Sequence, residues 1–288
     1  MTNITIATHN GNFHADDVFS VAALKSIFSS FTLIRTRDLE IIAKADIVID
    51  VGGEYDPTAG RFDHHQRGGA RARENGIPYS SFGLMWQKYG VDICKGNQDV
   101  ANALDTGLVS AIDAIDCGHV KGLPEGISLS QTISMFNPTW QEDSHFDTCF
   151  DEAVEFASRV LTRFIAAANG GISAKTIVAS AIQNAQDPRV IVLEKYTPWK
   201  KTVHALSEEA LYMIYPSQTG QWRIQTVPVE PGSFEDKKPL PKEWAGLSDK
   251  ALQEVTGIDD AMFCHNGLFI AGAESFESTM QMASIALK

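Results

Sequence analysis

The sequence predicts an α/β protein in two parts, a parallel-sheet domain over residues 1–169 and a smaller α+β domain over residues 170–288. Strand-like apolar runs alternate with helix-like segments in the first half, and strands that alternate with helices form parallel sheets. A glycine pair interrupts the pattern near residue 170, and short strand-like runs dominate after residue 190. At 288 residues the chain can form one large domain or two modest ones.

The elements of the first half follow from hydrophobic periodicity. Continuous apolar runs are typical of buried strands, and apolar residues three or four positions apart are typical of helices. The predicted strands cover 4–8, 31–35 and 47–51. The predicted helices cover 16–28, 80–89, 100–115 and 150–168. Since sites in parallel sheets lie at the carboxyl ends of strands, polar residues that directly follow a strand are the first functional candidates.

The pattern of the second half begins at Asn169-Gly170-Gly171, which we interpret as a break between two helices, the second over 173–186. The segment 216–220 is expected to join two strands as a hairpin turn, and 228–241, rich in proline and charge, to form a loop. The predicted strands cover 190–194, 211–215, 222–229, 262–264 and 268–271, before a C-terminal helix from Glu274.

Composition limits the classes of function. The net charge of −12 and the pI of about 5.1 argue against a broad basic surface for duplex nucleic acid. A locally positive groove with bound metal could still hold a few phosphates. No apolar run approaches the roughly 20 residues that span a bilayer, and the N-terminus lacks a leader pattern. We expect a cytoplasmic protein without a membrane partner, whose four scattered cysteines are reduced thiols.

The most informative motif is Arg61-Phe62-Asp63-His64-His65-Gln66, which places a carboxylate and two imidazoles on successive residues. Buried charges and imidazoles need partners, and a divalent metal is one such partner. We expect one histidine to bind the metal and the other the substrate, with Asp63 as a ligand or an orienting partner. The alternative is a solvated polar loop. Asp63, His64 and His65 are therefore the candidate catalytic residues.

Further candidate metal ligands lie upstream. His9, His14 and Asp16 fall on a loop that leads from a predicted strand into a predicted helix, and Asp50 ends another strand. The N-terminus of the helix adds positive potential for an anionic substrate. The alternatives are an N-cap role for Asp16 or Asp17, loop positions for the histidines and a turn role for Asp50.

Asp113 and Asp116 lie three residues apart in a predicted helix and therefore share a face. Acids near a helix C-terminus oppose the macrodipole, so we prefer a metal site to an exposed helix end. Both residues are candidate ligands. A set of histidines and carboxylates favours Mn²⁺, Mg²⁺ or Zn²⁺, and the candidates suffice for two ions.

Two sets of residues are candidates for substrate binding. Four arginines flank or follow the Asp63 triplet, with Gly68-Gly69 among them: Arg61, Arg67, Arg71 and Arg73. Guanidinium groups match phosphate oxygens in pairs, and Arg67 and Arg71 are the candidates unless the loop is merely exposed. In the second half, His265 and Gly272 flank a predicted strand. They could hold substrate, although by themselves they are also compatible with a structural turn.

Taken together, these motifs resemble the DHH phosphoesterase superfamily and, within it, the melanocyte-proliferating-gene (Myg-type) family of metal-dependent RNA exonucleases. The resemblance spans nearly the whole chain. The segments that carry it are 8–17, 50–52, 61–66, 80–84, 113–116, 137–140, 198–200, 238–241 and 263–265. In the first of them, His14 takes the place of the first aspartate of the superfamily's usual DxD pair.

The resemblance implies a DHH-type catalytic domain with a two-metal centre and a C-terminal substrate-binding domain, with Mn²⁺ favoured and Mg²⁺ or Zn²⁺ as alternatives. The ligands it implies are His9, His14, Asp16, Asp50, the Asp63 triplet, and Asp116 in preference to Asp113. His265 and Gly272 are the nearest matches to the superfamily's glycine-rich substrate motif. The implied activity is 3′–5′ hydrolysis of single-stranded RNA or a short oligonucleotide.

Three alternatives remain open from the sequence. An acidic protein with few basic patches is also compatible with a phosphatase, pyrophosphatase or oligonucleotidase that acts on a small phosphorylated substrate. A non-catalytic metal- or nucleotide-binding module and a zinc amidohydrolase are further alternatives. The sequence leaves the oligomeric state open, and a homodimer is compatible with it.

Overall fold

The computed structural model describes residues 4–120, 126–143 and 145–288. The chain divides into two compact units, Met1–Asn169 and Gly170–Lys288. Each unit contains one five-stranded mixed sheet with helices. The prediction of an α/β fold is therefore confirmed at the level of mixed helices and sheets.

The sheet of the first unit has the strand order β2-β1-β3-β5-β4. The strands β2, β1, β3 and β5 are parallel, and β4 pairs with β5 as an antiparallel edge strand. The sequence predicted a parallel sheet and did not include this edge strand. The strands are β1 (Ile4–Thr8), β2 (Phe31–Arg35), β3 (Ile47–Ile49), β4 (Tyr55–Asp56) and β5 (Arg61–Phe62).

The helices of the first unit form its core with this sheet, and the rings of Phe19 and Phe82 pack 5.7 Å apart. These helices are α1 (Ala15–Lys25), α2 (Leu39–Ile42), α3 (Ser81–Ile93), α4 (Gln98–Leu104), α5 (Ser110–Asp116) and α6 (Leu129–Ser134). A π-helical turn, Asp105–Val109, connects α4 and α5 without a break.

Helix α7 (Phe146–Gln183) runs through the glycine pair at 170–171, so the predicted break between two helices is wrong. Two glycines cost a helix roughly 2 kcal/mol relative to alanine, and the burial of Ala174 and Val178 beyond them offsets this cost. By length and composition alone, α7 could also cross a membrane, which the sequence analysis did not foresee. Core helices of soluble proteins meet the same criterion, so this is weak evidence for a span.

The sheet of the second unit has the order β6-β7-β8-β10-β9. Strands β6 and β7 are parallel, and the other neighbours are antiparallel. The strands are β6 (Val190–Val192), β7 (Tyr212–Pro216), β8 (Trp222–Thr226), β9 (Ala261–Cys264) and β10 (Ile270–Ala273). The helices after α7 are α8 (Lys200–Leu206), α9 (Asp249–Thr256) and α10 (Phe276–Ala286), with a 3₁₀ turn at Lys242–Trp244.

Candidate metal centre

Three neighbouring parallel strands position the residues of the candidate site. His9 directly follows β1, Asp50 follows β3, and Asp63 opens the loop after β5. The strands β1, β3 and β5 are adjacent in the sheet, so their carboxyl ends meet at one edge. The side chains that the sequence places at strand ends are thereby brought together.

Asp50 lies at the centre of the cluster. Its Oδ2 is 3.2 Å from Nε2 of His9, and its Oδ1 is 3.3 Å from both Nε2 of His64 and Nδ1 of His65. Burial alone would raise the pKa of Asp50, but the His64 and His9 imidazoles outweigh burial and hold the pKa below its usual value. Asp50 also has a φ of +55°, a left-handed conformation that costs a non-glycine residue energy and occurs often at functional sites.

The N-terminus of α1 contributes His14, Asp16 and Asp17. Asp16 is fully buried, and neither of its carboxylate oxygens has a hydrogen-bond partner among the described residues. Burial, together with the carboxylates of Asp50 and Asp116, raises the pKa of Asp16 well above its usual value. A buried carboxylate without a donor is costly, and a cation would remove that cost.

Asp17 was considered in the sequence only as an N-cap, but the N-cap of α1 is His14, and Asp17 is the third residue of the helix. It accepts a hydrogen bond from the backbone N–H of His14 at 2.9 Å, and its Oδ2 lies 3.3 Å from Nε2 of His9. Burial raises the pKa of Asp17 to about 7. In the sequence, the indication for Asp17 was that it directly follows the candidate ligand Asp16.

His64 connects the Asp50 region to α5. Its Nε2 lies 3.3 Å from Oδ1 of Asp50 and 3.3 Å from Oδ2 of Asp116, and its Nδ1 is 3.7 Å from the thiol of Cys117. Burial lowers the pKa of His64, but the hydrogen bonds to Asp50 and Cys117 and the Asp116 charge raise it to about 10. Cys117 had no predicted role, and its only sequence signal was its position after Asp116.

Asp63 and His65 form a separate pair on the same loop. Asp63 is buried and accepts hydrogen bonds from the backbone N–H groups of Gly53 and His65. Its Oδ1 lies 2.8 Å from Nδ1 of His65, whose side chain is 62% exposed. Asp63 therefore orients an accessible imidazole, which matches the orienting role considered for it in the sequence.

The chemistry of the donors fits divalent cations. Four sets of side chains bring their ligand atoms within 4.8 Å of one another, and Asp50, His14, His64 and Asp116 each belong to two sets. Shared ligands of this kind can bridge two ions. The sets are His9–His14–Asp50, Asp50–His64–His65, His64–Asp116–Cys117 and His14–Asp16–Asp116.

Asp113 takes part in a different contact network. Its carboxylate accepts hydrogen bonds from Nη1 of Arg73 at 2.7 Å, Oγ of Ser80 at 2.6 Å and the backbone N–H of Gly83 at 3.1 Å. Burial raises the pKa of Asp113 to about 6, although Ser80 and Arg73 oppose the rise. Arg73 also pairs with Asp105, so it belongs to this network and not to the exposed arginines.

Arg67 and Arg71, the arginines predicted to bind phosphate, are exposed. The guanidinium of Arg71 lies 5.5 Å from the ring of Tyr55. Neither arginine has an ion pair with a carboxylate in the described ranges. Both cations are therefore available to an anion.

In the second unit, Gly272 leaves room for the side chain of Arg223 because it has no Cβ. A Cβ at Gly272 would lie 2.6 Å from Nη1 of Arg223, its partner on the neighbouring strand β8. The Arg223 guanidinium lies 5.0 Å from the centre of the Phe263 ring, and burial lowers its pKa. No carboxylate of the described chain forms an ion pair with it. Arg223 was missed in the sequence, where its signal was a lone arginine in an apolar strand.

His265, the other candidate of this unit, is exposed. Its Nδ1 accepts a hydrogen bond from the backbone N–H of Gly267 at 2.9 Å, and its ring lies 4.4 Å from that of Phe269. The hydrogen bond leaves Nε2 free to contact a ligand.

The fold and the cluster define a two-unit α/β protein with a partly buried histidine–carboxylate site suited to cations. Residues 5–287 match the family model MYG1_exonuc, described as an uncharacterised protein family (UPF0160). The chain belongs to this family. It is 34% identical to the human MYG1 exonuclease over 98% of this chain and 85% of that one. The mouse MYG1 exonuclease is 33% identical, with 98% and 84% covered. A MYG1 protein of Schizosaccharomyces pombe is 32% identical, with 99% and 97% covered. No solved structure matches the chain.

Proposed function

We propose that this protein is a metal-dependent phosphodiesterase of the DHH type that removes nucleotides from the 3′ end of single-stranded RNA. The observation that supports it most is the buried cluster around Asp50, in which carboxylate oxygens of Asp16 lack donors and four residues are shared between cation-sized sets. The names of the mouse and human relatives, both MYG1 exonucleases, support a nuclease.

The residues that would hold two ions are those of the four sets, with Mn²⁺ favoured. Two divalent ions, when bound, lower the pKa of water and neutralise charge on phosphoryl oxygens. Asp50 and Asp116 would be their central carboxylates, because each lies 3.3 Å from His64 and belongs to two sets. Asp17 would help to orient the ring of His9, since its Oδ2 contacts the same Nε2 atom that Asp50 contacts.

The chain's own groups would then bind and orient the phosphodiester. His65, held by Asp63, presents an accessible imidazole beside Asp50 that can donate a proton to a phosphoryl or leaving oxygen. Arg67 and Arg71 are free to hold substrate phosphates. In the second unit, Arg223 and the free Nε2 of His265 are further donors to phosphate.

A second candidate function is hydrolysis of a small phosphorylated substrate, such as pyrophosphate or a dinucleotide. The net charge of −12 favours it, because an acidic protein gains little from a long polyanion. This candidate differs from the first in one measurable property, since its rate does not depend on chain length.

The test is degradation of a 5′-labelled single-stranded RNA with Mn²⁺, in the wild type, His64→Ala and His204→Gln. His204, in the second unit, lies outside every cation-sized set and is the matched control. A ladder that shortens from the 3′ end in the wild type and control, but not in His64→Ala or with chelator, supports the proposal. Hydrolysis of pyrophosphate or dinucleotides alone supports the second candidate, and metal binding without turnover of any of them points to a binding module.

A further inference from the structure

Trp140 is unusual among the five tryptophans of the chain because 90% of it is exposed. Trp86, Trp199 and Trp244 are buried, and Trp222 is half-buried. A large aromatic side chain in water is an informative exception to ordinary burial. The role of Trp140 is therefore to be sought outside the core of the protein.

The turn that carries Trp140 is closed by two hydrogen bonds. The backbone N–H of Thr139 donates to the Glu142 carboxylate at 2.6 Å, and the backbone N–H of Glu142 donates to the carbonyl of Thr139 at 3.1 Å. These contacts fix the backbone on both sides of the indole. A ligand that binds Trp140 therefore meets a preorganised turn, and little backbone ordering opposes binding.

The same segment is attached to the loop that leads to His14. Asn137 accepts a hydrogen bond from the backbone N–H of Phe13 at 3.0 Å and donates one to its carbonyl at 2.9 Å. Phe13 is fully buried and directly precedes His14. Three residues reach at most about 11 Å, so the backbone of Trp140 lies within about 11 Å of Asn137, the length of about three stacked nucleotides at 3.4 Å each. Asn137 in turn holds the residue that precedes His14.

The chemistry around the indole favours a nucleobase over a phosphate or a protein. The side chains that follow Trp140 are Gln141, Glu142 and Asp143, all exposed, and two of them are acids that repel phosphate. A protein interface needs a broad apolar patch of several hundred Å², whereas the three residues that follow this ring are polar. Every nucleobase presents a flat face that can stack on an aromatic ring, whatever its sequence.

We propose that Trp140 is a substrate-binding residue on which a nucleobase of the substrate stacks while its phosphate lies at the candidate metal centre. The inference rests on the proposed function, because it requires a substrate that carries bases. It adds a base contact to the phosphate contacts of Arg67 and Arg71. Since the contact involves no charge, its contribution is expected to change little with salt.

The experiment compares Trp140→Ala and Trp140→Phe with the wild type on an RNA oligonucleotide and on a matched oligonucleotide with abasic 3′ nucleotides. Stacking on an aromatic side chain corresponds to about 5- to 150-fold in affinity per base. We expect Trp140→Ala to raise KM for RNA in this range with kcat nearly unchanged, and Trp140→Phe to recover most of the loss. On the abasic substrate the three proteins should have equal KM. Phe234→Ala, which removes a fully exposed aromatic ring from the second unit, is the control.

A second measurement is independent of turnover. RNA should quench the tryptophan fluorescence of the wild type, and Trp140→Phe should lose this quenching, because the remaining tryptophans are buried or half-buried. Quenching without hydrolysis would contradict the proposed nuclease but support the stacking. Equal KM on RNA in wild type and Trp140→Ala, a loss of the same size on the abasic substrate, or a changed oligomeric mass in Trp140→Ala would overturn the inference.

Discussion

Helix α5 carries two aspartates three residues apart, the buried Asp113 and the partly buried Asp116, and they have opposite surroundings. The carboxylate of Asp113 accepts hydrogen bonds from the Arg73 guanidinium, the Ser80 hydroxyl and the backbone N–H of Gly83. The carboxylate of Asp116 lies 3.3 Å from Nε2 of His64. Burial and the Asp50 carboxylate raise the pKa of Asp116, although His64, Asp16 and His14 oppose the rise. The carboxylate of Asp113 is paired within the protein, whereas the cluster that contains Asp116 includes Asp16, whose carboxylate oxygens have no hydrogen-bond partner among the described residues.

The difference shows how a structural carboxylate can be distinguished from a candidate ligand. A closed network stabilises the fold only while both partners are present, because removal of one leaves the other buried and unpaired. An open cluster is unfavourable until a cation binds. We therefore favour Asp116 as a ligand and assign Asp113 to the packing of α5 against α3, and four predictions test this comparison.

The largest expected effect is on turnover. Asp116→Asn should reduce kcat by orders of magnitude, because it removes a carboxylate shared by two cation-sized sets. Asp113→Asn should keep activity per folded molecule within a few-fold of the wild type. The measurement is the initial rate on RNA with Mn²⁺, normalised to folded protein by circular dichroism. If both variants lose activity equally, the distinction between the two aspartates is wrong.

The next effect is on stability. Asp113→Ala leaves the Nη1 of Arg73 and the hydroxyl of Ser80 without their acceptor and should lower the free energy of unfolding by about 3 kcal/mol. Asp116→Ala, measured in chelator, should leave it unchanged or raise it, because one of several crowded carboxylates is removed. Urea unfolding of both variants provides the comparison, and a larger loss for Asp116→Ala would contradict it.

The third effect is the stabilisation of the folded state by bound metal. A cation present at 100 times its Kd stabilises the folded state by about 2.7 kcal/mol. Mn²⁺ should therefore raise the Tm of the wild type and of Asp113→Asn, and should have little effect on Asp116→Asn. Thermal unfolding across a Mn²⁺ titration measures this, with Ca²⁺ in parallel to show selectivity. An equal rise in all three proteins would place the ion elsewhere.

The effect that is smallest between neighbouring conditions concerns pH. The pKa of Asp113 is about 6 in the folded protein and about 3.9 when unfolded, so between about pH 4 and 6 the folded state binds more protons. Stability contributed by this group is therefore present at low pH and falls as pH rises, by at most about 1.4 kcal/mol per unit. Asp113→Asn should remove this dependence of the free energy of unfolding on pH. Urea unfolding in chelator at pH 4, 5 and 6 measures it in both proteins. Parallel slopes in the two proteins would show that other groups dominate.

Short-range patterns in the sequence predicted much of the first unit. The apolar runs of β1 and β3 and the periodicity of α1 identified those elements, and the rule for strand ends directed attention to His9 and Asp50. Strands β4 and β5 have two residues each, too few for a period to appear. The glycine pair in α7 was wrongly predicted to separate two helices, because the packing that stabilises the helix after Gly171 involves residues that are distant in the sequence.

The separation of Asp113 from Asp116 could not be predicted for the same reason. Their spacing indicates a shared helix face, but their roles depend on contacts with Arg73, Ser80 and His64, which lie 33 or more residues away. Arg73 in turn was grouped with the exposed arginines because it lies near them in sequence. The burial of a cation beside two acids is visible only in the folded chain.

The π-helical turn between α4 and α5 gives this region a tolerance of chain length. The wide turn Asp105–Val109 accommodates about one residue more than an α-helical turn would. Deletion of one residue there would let the helix continue as a regular α-helix with α5 at nearly the same angle, so Asp113 would keep facing Arg73 and Asp116 would keep facing His64. A deletion within α5 itself would instead rotate the residues after it by about 100°. In sequences of this family, a gap of one residue at 105–109 should therefore leave the acidic positions downstream in place.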